Sequence, residues 1–238
     1  MLISRERKLL FIHIQKTGGS TVAQLLRGHV PDMRWMGGTH EHALSARAVL
    51  GDEFDSFYRF AFVRNPWDRL VSWHAMIRQK GPGQPPEKLN RLWRYVLERS
   101  STFEEFVLRC TDAIDDVDGP KSFLHNQLDY ISDREGRPMV DWVGRYERFG
   151  ADLRALLDRI GLADAEIPHV NRSRHRHYSA YYTPRTRDLV AERYARDIRA
   201  FGYTFQAQPE PAPGGDGGDG GDGVMTPRSH FPGKSSSF

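Results

Sequence analysis

From Leu9 to Ile14 every residue except His13 is apolar, the pattern of a strand covered on both faces in a parallel sheet. The run breaks at Lys16, Thr17, Gly18 and Gly19, and "TVAQLLRGH" then turns amphipathic, with Val22, Leu25 and Leu26 on one stripe. A helix capped by Ser20 or Thr21 is predicted there. The polar stretch "MGGTHEHALSARAVLG" follows, with room for a short helix from Ser45 to Gly51. "YRFAFVR" then predicts a second central strand, and Asn65 and Pro66 suit the N-cap and first position of a helix through "WDRLVSWHAMIRQK". Strand, turn and helix occur twice in succession.

Beyond the loop "GPGQPPE", helices are predicted over "EKLNRLWRYVLERS" and "TFEEFVLRC", the second opened by a Thr102 to Glu105 capping box. "LDYISDREGRPMVDWVGRYE" reads as a hairpin around Glu135, Gly136 and Arg137. "ADLRALLDRIG" and "TPRTRDLVAERYARDIRAFG" are helical, the latter with Thr183 as cap and Pro184 first. These elements predict an α/β domain over residues 1–205: a P-loop-like three-layer fold with a central, mainly parallel sheet flanked by helices. Residues 206–238, rich in Gly, Pro, Asp and Ser, lack the apolar content to offset ordering entropy and are expected to be a disordered tail. Their aspartate–glycine repeat lacks the apolar position that stacked calcium-binding turns require.

A chain of 238 residues supports one substantial core. Lys and Arg exceed Asp and Glu by 34 − 31 = 3, which suits an anionic ligand but not wholesale coating of nucleic acid. Cys110 is the only cysteine, so neither an intrachain disulfide nor a cysteine-based zinc site can form; its amphipathic setting suggests a buried small hydrophobe. The N-terminal charges are misplaced for a signal peptide and the apolar run is too short to span a bilayer, so a cytoplasmic protein without a transmembrane segment is expected.

The break at residues 16–19 carries the chemistry. Glycines between a buried strand and a helix N-terminus let backbone N–H groups converge where the helix dipole favours an anion. Lys16 brings a mobile point charge, and Thr17, Ser20 and Thr21 offer hydroxyls. A structural turn with a solvated lysine is the alternative. The Walker A order is absent, because the lysine precedes the glycines. In the second unit, Arg64 leaves the strand at its carboxyl end and Ser72 lies about two turns into the helix on the junction face. Each alone is a surface charge or a packing residue. Together they suit a second phosphate, since ligands of open α/β sheets gather at strand carboxyl ends.

"FIHIQKTGGST" resembles the 5′-phosphosulfate loop, and "RFAFVRNPWDRLVS" the 3′-phosphate motif, of carbohydrate sulfotransferases such as the heparan sulfate 2-O- and 6-O- and chondroitin 4-O-sulfotransferases. The similarity continues through "HNQLDYISDREGRPMVDWVGRYE", "PHVNRSRHRHYSAYY" and "FGYTF". It implies 3′-phosphoadenosine 5′-phosphosulfate as donor, sulfuryl transfer to a hydroxyl of a carbohydrate or other small acceptor, and no metal. It places Lys16 on the bridging oxygen and 5′-phosphate, the amides of Gly18 to Thr21 around that phosphate, and Arg64 and Ser72 on the 3′-phosphate.

The resemblance also assigns the general base to His42, with His40 its rival and Glu41 a weaker one. Asn171, Ser173 and Arg174 fall in what looks like the late donor-binding segment; a solvated basic loop is the alternative. Glu147 resembles a recurring family glutamate, with a substrate contact and a structural ion pair both open. His13, Trp67, Trp73 and Tyr130 are expected in the core. Two other functions fit parts of the pattern: a P-loop-like nucleotide kinase, and a non-catalytic module binding anionic glycan. The kinase needs a Walker-B-like aspartate where "AFVRNP" offers an arginine.

Overall fold

The computed structural model describes residues 1–111, 123, 125–167 and 176–207. Five strands form one sheet: β1 (Leu2–Ser4), β2 (Leu9–Ile12), β3 (Arg34–Trp35), β4 (Tyr58–Val63) and β5 (Trp142–Arg145), in the order β3-β1-β2-β4-β5. The pairs β2–β4 and β4–β5 are parallel, whereas β1–β2 and β1–β3 are antiparallel. The sheet is therefore mixed rather than mainly parallel. The difference arises at the N-terminus, where four residues separate β1 from β2. So short a link can only fold the chain back antiparallel, because a parallel pairing needs a crossover.

Side chains of β2 and β4 alternate between two cores. Leu9 and Phe11 of β2, with Phe60 and Phe62 of β4, pack against α1 (Gly19–His29) and α7 (Phe149–Arg159). Leu10, Ile12, Ala61 and Val63 face the larger core, into which α2 (Ala43–Leu50), α3 (Pro66–Lys80), α4 (Arg91–Arg99), α5 (Phe103–Cys110), α6 (Gln127–Ile131) and α8 (Pro184–Arg193) send residues. The last helix is α9 (Ala195–Phe201). Helix, sheet and helix make three layers. Cys110, Trp67, Trp73 and Tyr130 lie buried in the larger core.

Local rules account for most element ends. Asn65 caps α3 by accepting from the Trp67 amide at 3.0 Å, with Pro66 at the first position. Thr102 and Glu105 form the capping box of α5, and Thr183 caps α8. The N-cap of α1 is Gly18 rather than Ser20 or Thr21: its φ of 84° is left-handed and no side chain caps the helix. The hairpin expected around Glu135 reduces to a single bridge, Ser132 with Pro138, and β5 instead joins β4 in parallel. Residues 208–238, which include nearly all of the expected tail, lie outside the described residues.

Topology brings the two strand–helix junctions to one edge of the sheet. Strands β2 and β4 are parallel neighbours with Ile12 opposite Ala61, yet α1 leaves β2 toward one face and α3 leaves β4 toward the other. A crevice opens at the carboxyl ends of such a strand pair. Both candidate phosphate motifs stand at that edge.

Candidate active site

The turn after β2 is built around two glycines with different constraints. Gly18 sits at φ 84°, and an added Cβ there would lie 2.5 Å from Phe149 Cε2. Gly19 has ordinary dihedrals, but the His13 imidazole packs directly beneath it and leaves no room for a Cβ. Thr21 N–H bonds back to Gly18 O at 3.0 Å. The amides of Gly18, Gly19 and Ser20 make no hydrogen bond among the described residues and stand at the positive end of α1. Thr17 is fully buried, and its hydroxyl donates to Ile14 O at 2.9 Å, so its one proton holds the turn together. Ser20 is exposed and Thr21 half-buried.

Lys16 adopts φ 67°, unusual for a residue with a Cβ, and its half-buried Nζ donates to Met76 Sδ at 3.3 Å. Burial, with Arg64 and then Lys80 nearby, lowers its pKa from 10.5 to about 8. It remains mainly cationic at pH 7.

Arg64 is the hinge between the two units. Its guanidinium, 3 % exposed, donates through Nη1 to Lys16 O at 3.1 Å and through Nε to Asp68 Oδ2 at 2.7 Å. One face lies 3.9 Å from the Tyr146 ring centroid. Its Nη2 has no hydrogen bond among the described residues. Ser72, about two turns along α3, is buried. Lys16 and Arg64 are therefore neighbours at the adjoining carboxyl ends of β2 and β4.

Other side chains fasten this arrangement. Arg69, buried on α3, donates from Nε to Gln15 O at 3.1 Å, pinning the loop just before Lys16. Glu147 accepts from the Asn65 amide at 2.6 Å and from the Tyr203 hydroxyl at 3.2 Å, so its carboxylate holds the start of α3. Gln127, fully buried, bonds both backbone groups of Arg64. Arg69 and Gln127 escaped the sequence reading because each acts through backbone atoms remote in the chain, which no local motif records.

The histidines divide into two groups. His13, 6 % exposed, stacks on Phe11 and lies 4.5 Å from the His40 ring, centroid to centroid. Burial, then His40 and the N-terminus, lowers its pKa from 6.5 to about 3. His40 Nδ1 meets His13 O at 2.8 Å; since a carbonyl only accepts, the proton sits on Nδ1. His42 is the N-cap residue of α2, with its ring 4.2 Å from Tyr130 and 5.2 Å from His125. Its pKa is lowered from 6.5 to about 4, mainly by burial and next by His125, so the ring is neutral at pH 7. Its Nε2 is buried and makes no hydrogen bond among the described residues. Glu41 accepts from the Gly38 amide at 3.1 Å. Asn171, Ser173 and Arg174 lie outside the described residues.

Among the described residues no group of three or more His, Cys, Asp or Glu side chains is placed to hold a metal ion. None of their helices is long and apolar enough to cross a membrane.

The fold is a mixed α/β layer structure with Lys16 and the unpaired amides of Gly18, Gly19 and Ser20 at one strand–helix junction and Arg64 at the adjoining one, an arrangement suited to an anion. A family model described as the sulfotransferase family matches residues 1–204, and the chain belongs to that family. No curated protein matches it. Membership establishes a transferase fold and sulfuryl transfer in general, with a hydroxyl-bearing acceptor.

Proposed function

We propose that residues 1–205 form a sulfotransferase domain that uses 3′-phosphoadenosine 5′-phosphosulfate to sulfate a hydroxyl of a carbohydrate or other small acceptor. The observation that carries this reading is the Arg64 Nη1 bond to Lys16 O at 3.1 Å, which ties two anion-ready junctions into one site for a nucleotide with phosphates at both ends.

The β2–α1 turn acts as a P-loop-like cradle for the 5′-phosphosulfate. The amides of Gly18, Gly19 and Ser20 supply donors, with Thr21 adding its hydroxyl and Thr17 its buried support. Arg64, through Nη2, and Ser72 take the 3′-phosphate. Asn171, Ser173 and Arg174 complete the donor site by family resemblance alone.

In the reaction the acceptor oxygen forms a bond to sulfur as the sulfur–oxygen bond to the 5′-phosphate breaks, and that electron pair stays on the phosphate. Charge grows on the leaving oxygen, where Lys16 leaves Met76 to meet it. The acceptor proton passes to His42, whose depressed pKa keeps it neutral and ready to accept. The phosphate charges of the bound donor stabilise the resulting imidazolium. A specific observation favours His40 as a second reading: its Nδ1–H bond to His13 O directs the ring's lone pair onto Nε2.

Calorimetry with 3′-phosphoadenosine 5′-phosphate against ATP tests the donor. The sulfotransferase reading requires clear preference for the 3′-phosphate compound, and equal or stronger ATP binding would favour the nucleotide kinase. If neither nucleotide binds, the non-catalytic glycan-binding module takes precedence. Screening hydroxyl compounds with labelled donor then identifies the acceptor.

A further inference from the structure

The carboxyl end of β4 receives a partner that is not a strand. Gln127, the first residue of α6, accepts from the Arg64 amide through Oε1 at 2.8 Å and donates from Nε2 to Arg64 O at 2.7 Å. Its side-chain amide thus pairs with both backbone groups of one residue, as a neighbouring strand would, just where β4 ends. The orientation of the amide is forced, since an N–H must face an oxygen and a carbonyl must face an N–H.

Asp197 of α9 sets that side chain. Its Oδ2 accepts from Gln127 Nε2 at 3.0 Å and from Gln127 N at 2.8 Å, and its Oδ1 accepts from Leu128 N at 2.9 Å. Both residues are fully buried. A carboxylate out of water is tolerated only where such donors surround it. Burial nonetheless pushes the Asp197 pKa up, with the Gln127 and Leu128 amides opposing the shift. The short helix carrying Gln127 also carries Tyr130, whose ring packs against His42.

Shape alone does not call for this arrangement, as an apolar residue of similar length would fill the same space. The bonds fix the backbone of the one residue whose guanidinium must reach the 3′-phosphate under the function proposed above, on which this inference rests. We propose that Gln127, oriented by Asp197, is a positioning residue for 3′-phosphate recognition, acting through the Arg64 backbone.

Gln127→Met keeps length and removes both bonds. Affinities for 3′-phosphoadenosine 5′-phosphate and adenosine 5′-monophosphate are measured by calorimetry on the wild-type chain and the variant; their ratio isolates the 3′-phosphate contribution. Misplacing a charged donor by a fraction of an ångström should lower that ratio by about tenfold or more while monophosphate affinity stays within about twofold. A ratio equal to wild type, or equal loss for both nucleotides, overturns the inference, because a merely structural role moves the two together. Where Gln127→Met does not fold, Asp197→Asn decides by the same ratio, with a smaller decrease expected since one acceptor oxygen remains. Absence of 3′-phosphate preference in the wild-type chain overturns the donor reading instead, and this inference with it.

Discussion

Arg64 donates from Nη1 to the backbone carbonyl of Lys16 at 3.1 Å, so the side chain of the second strand–helix junction holds the main chain of the first. Arg64 shapes the Lys16 turn, and under the proposed function the same guanidinium presents its charge to the 3′-phosphate.

That dual use separates substitutions at the two positions. Arg64→Lys keeps the charge but loses the fork, and is expected to weaken 3′-phosphoadenosine 5′-phosphate binding by about 10- to 100-fold, nearly as much as Arg64→Ala. Lys16→Ala should abolish transfer while costing less in nucleotide affinity, because in the proposed reaction Lys16 meets charge that grows on the leaving oxygen. With its pKa lowered to about 8, Lys16 sheds its proton as the pH rises through that value, so nucleotide affinity is expected to fall there in the wild-type chain. Calorimetry from pH 7 to 9.5 on wild type and Lys16→Met checks this; the same decline in both would remove Lys16 from the phosphosulfate.

Gly19 is fixed by a neighbour rather than by its dihedrals, since its φ is ordinary and the His13 ring occupies the place of a Cβ. Gly19→Ala must push either the imidazole or the start of α1 aside, at a cost of about 1–3 kcal/mol. Thermal unfolding should register that loss, with nucleotide binding reduced further because the cradle amides shift. An unchanged melting temperature together with intact binding would mean that the ring has free space to move.

Much of this was legible in the sequence, for a physical reason. Buried apolar runs, caps at Asn65, Thr102 and Thr183, and the glycine turn are local features, and each obeyed a local rule. The family resemblance added roles that spacing could not. Contacts between remote segments escaped. Strand β1 was missed because "LIS" is three residues long and gains its meaning only by pairing with β2 and β3. Capping of α1 by hydroxyls failed because the close approach of Phe149 and His13, distant in the chain or hidden beneath the turn, reserved that corner for glycines. Glu147, open between two roles in the sequence, accepts from the Asn65 amide and the Tyr203 hydroxyl and has no ion pair among the described residues.

Buried histidines give the chain an acid sensitivity with a defined sign. His13 has its pKa lowered from 6.5 to about 3, and His42 and His74 from 6.5 to about 4, in each case mainly by burial. The unfolded chain binds these protons first, so their contribution to stability is present above about pH 6.5 and declines as the pH falls toward 3 to 4. His13→Leu removes one of the three. Its unfolding free energy in urea should vary less between pH 6.5 and 4 than that of wild type, whatever its absolute value. An identical pH slope would show that His13 is protonated in the folded chain.

His42 and His40 flank the same loop with different prospects as the base. His42 is neutral at pH 7 and packs against Tyr130 and His125, while His40 anchors its Nδ1 on His13 O, a bond that also steadies the strand end beneath Gly19. Loss of a general base costs about 10²- to 10⁴-fold, whereas loss of an orienting contact costs less. His42→Ala is therefore expected to lower transfer by that larger factor and to leave nucleotide affinity within about threefold, with partial recovery on adding imidazole. His40→Ala should lose less than about tenfold and keep the acidic limb of the pH–rate profile where wild type has it. The measurement is transfer from labelled donor to the acceptor that screening yields, followed between pH 4 and 9. Full activity in His42→Ala, with the acidic limb displaced in His40→Ala, would move the proton transfer to His40 Nε2.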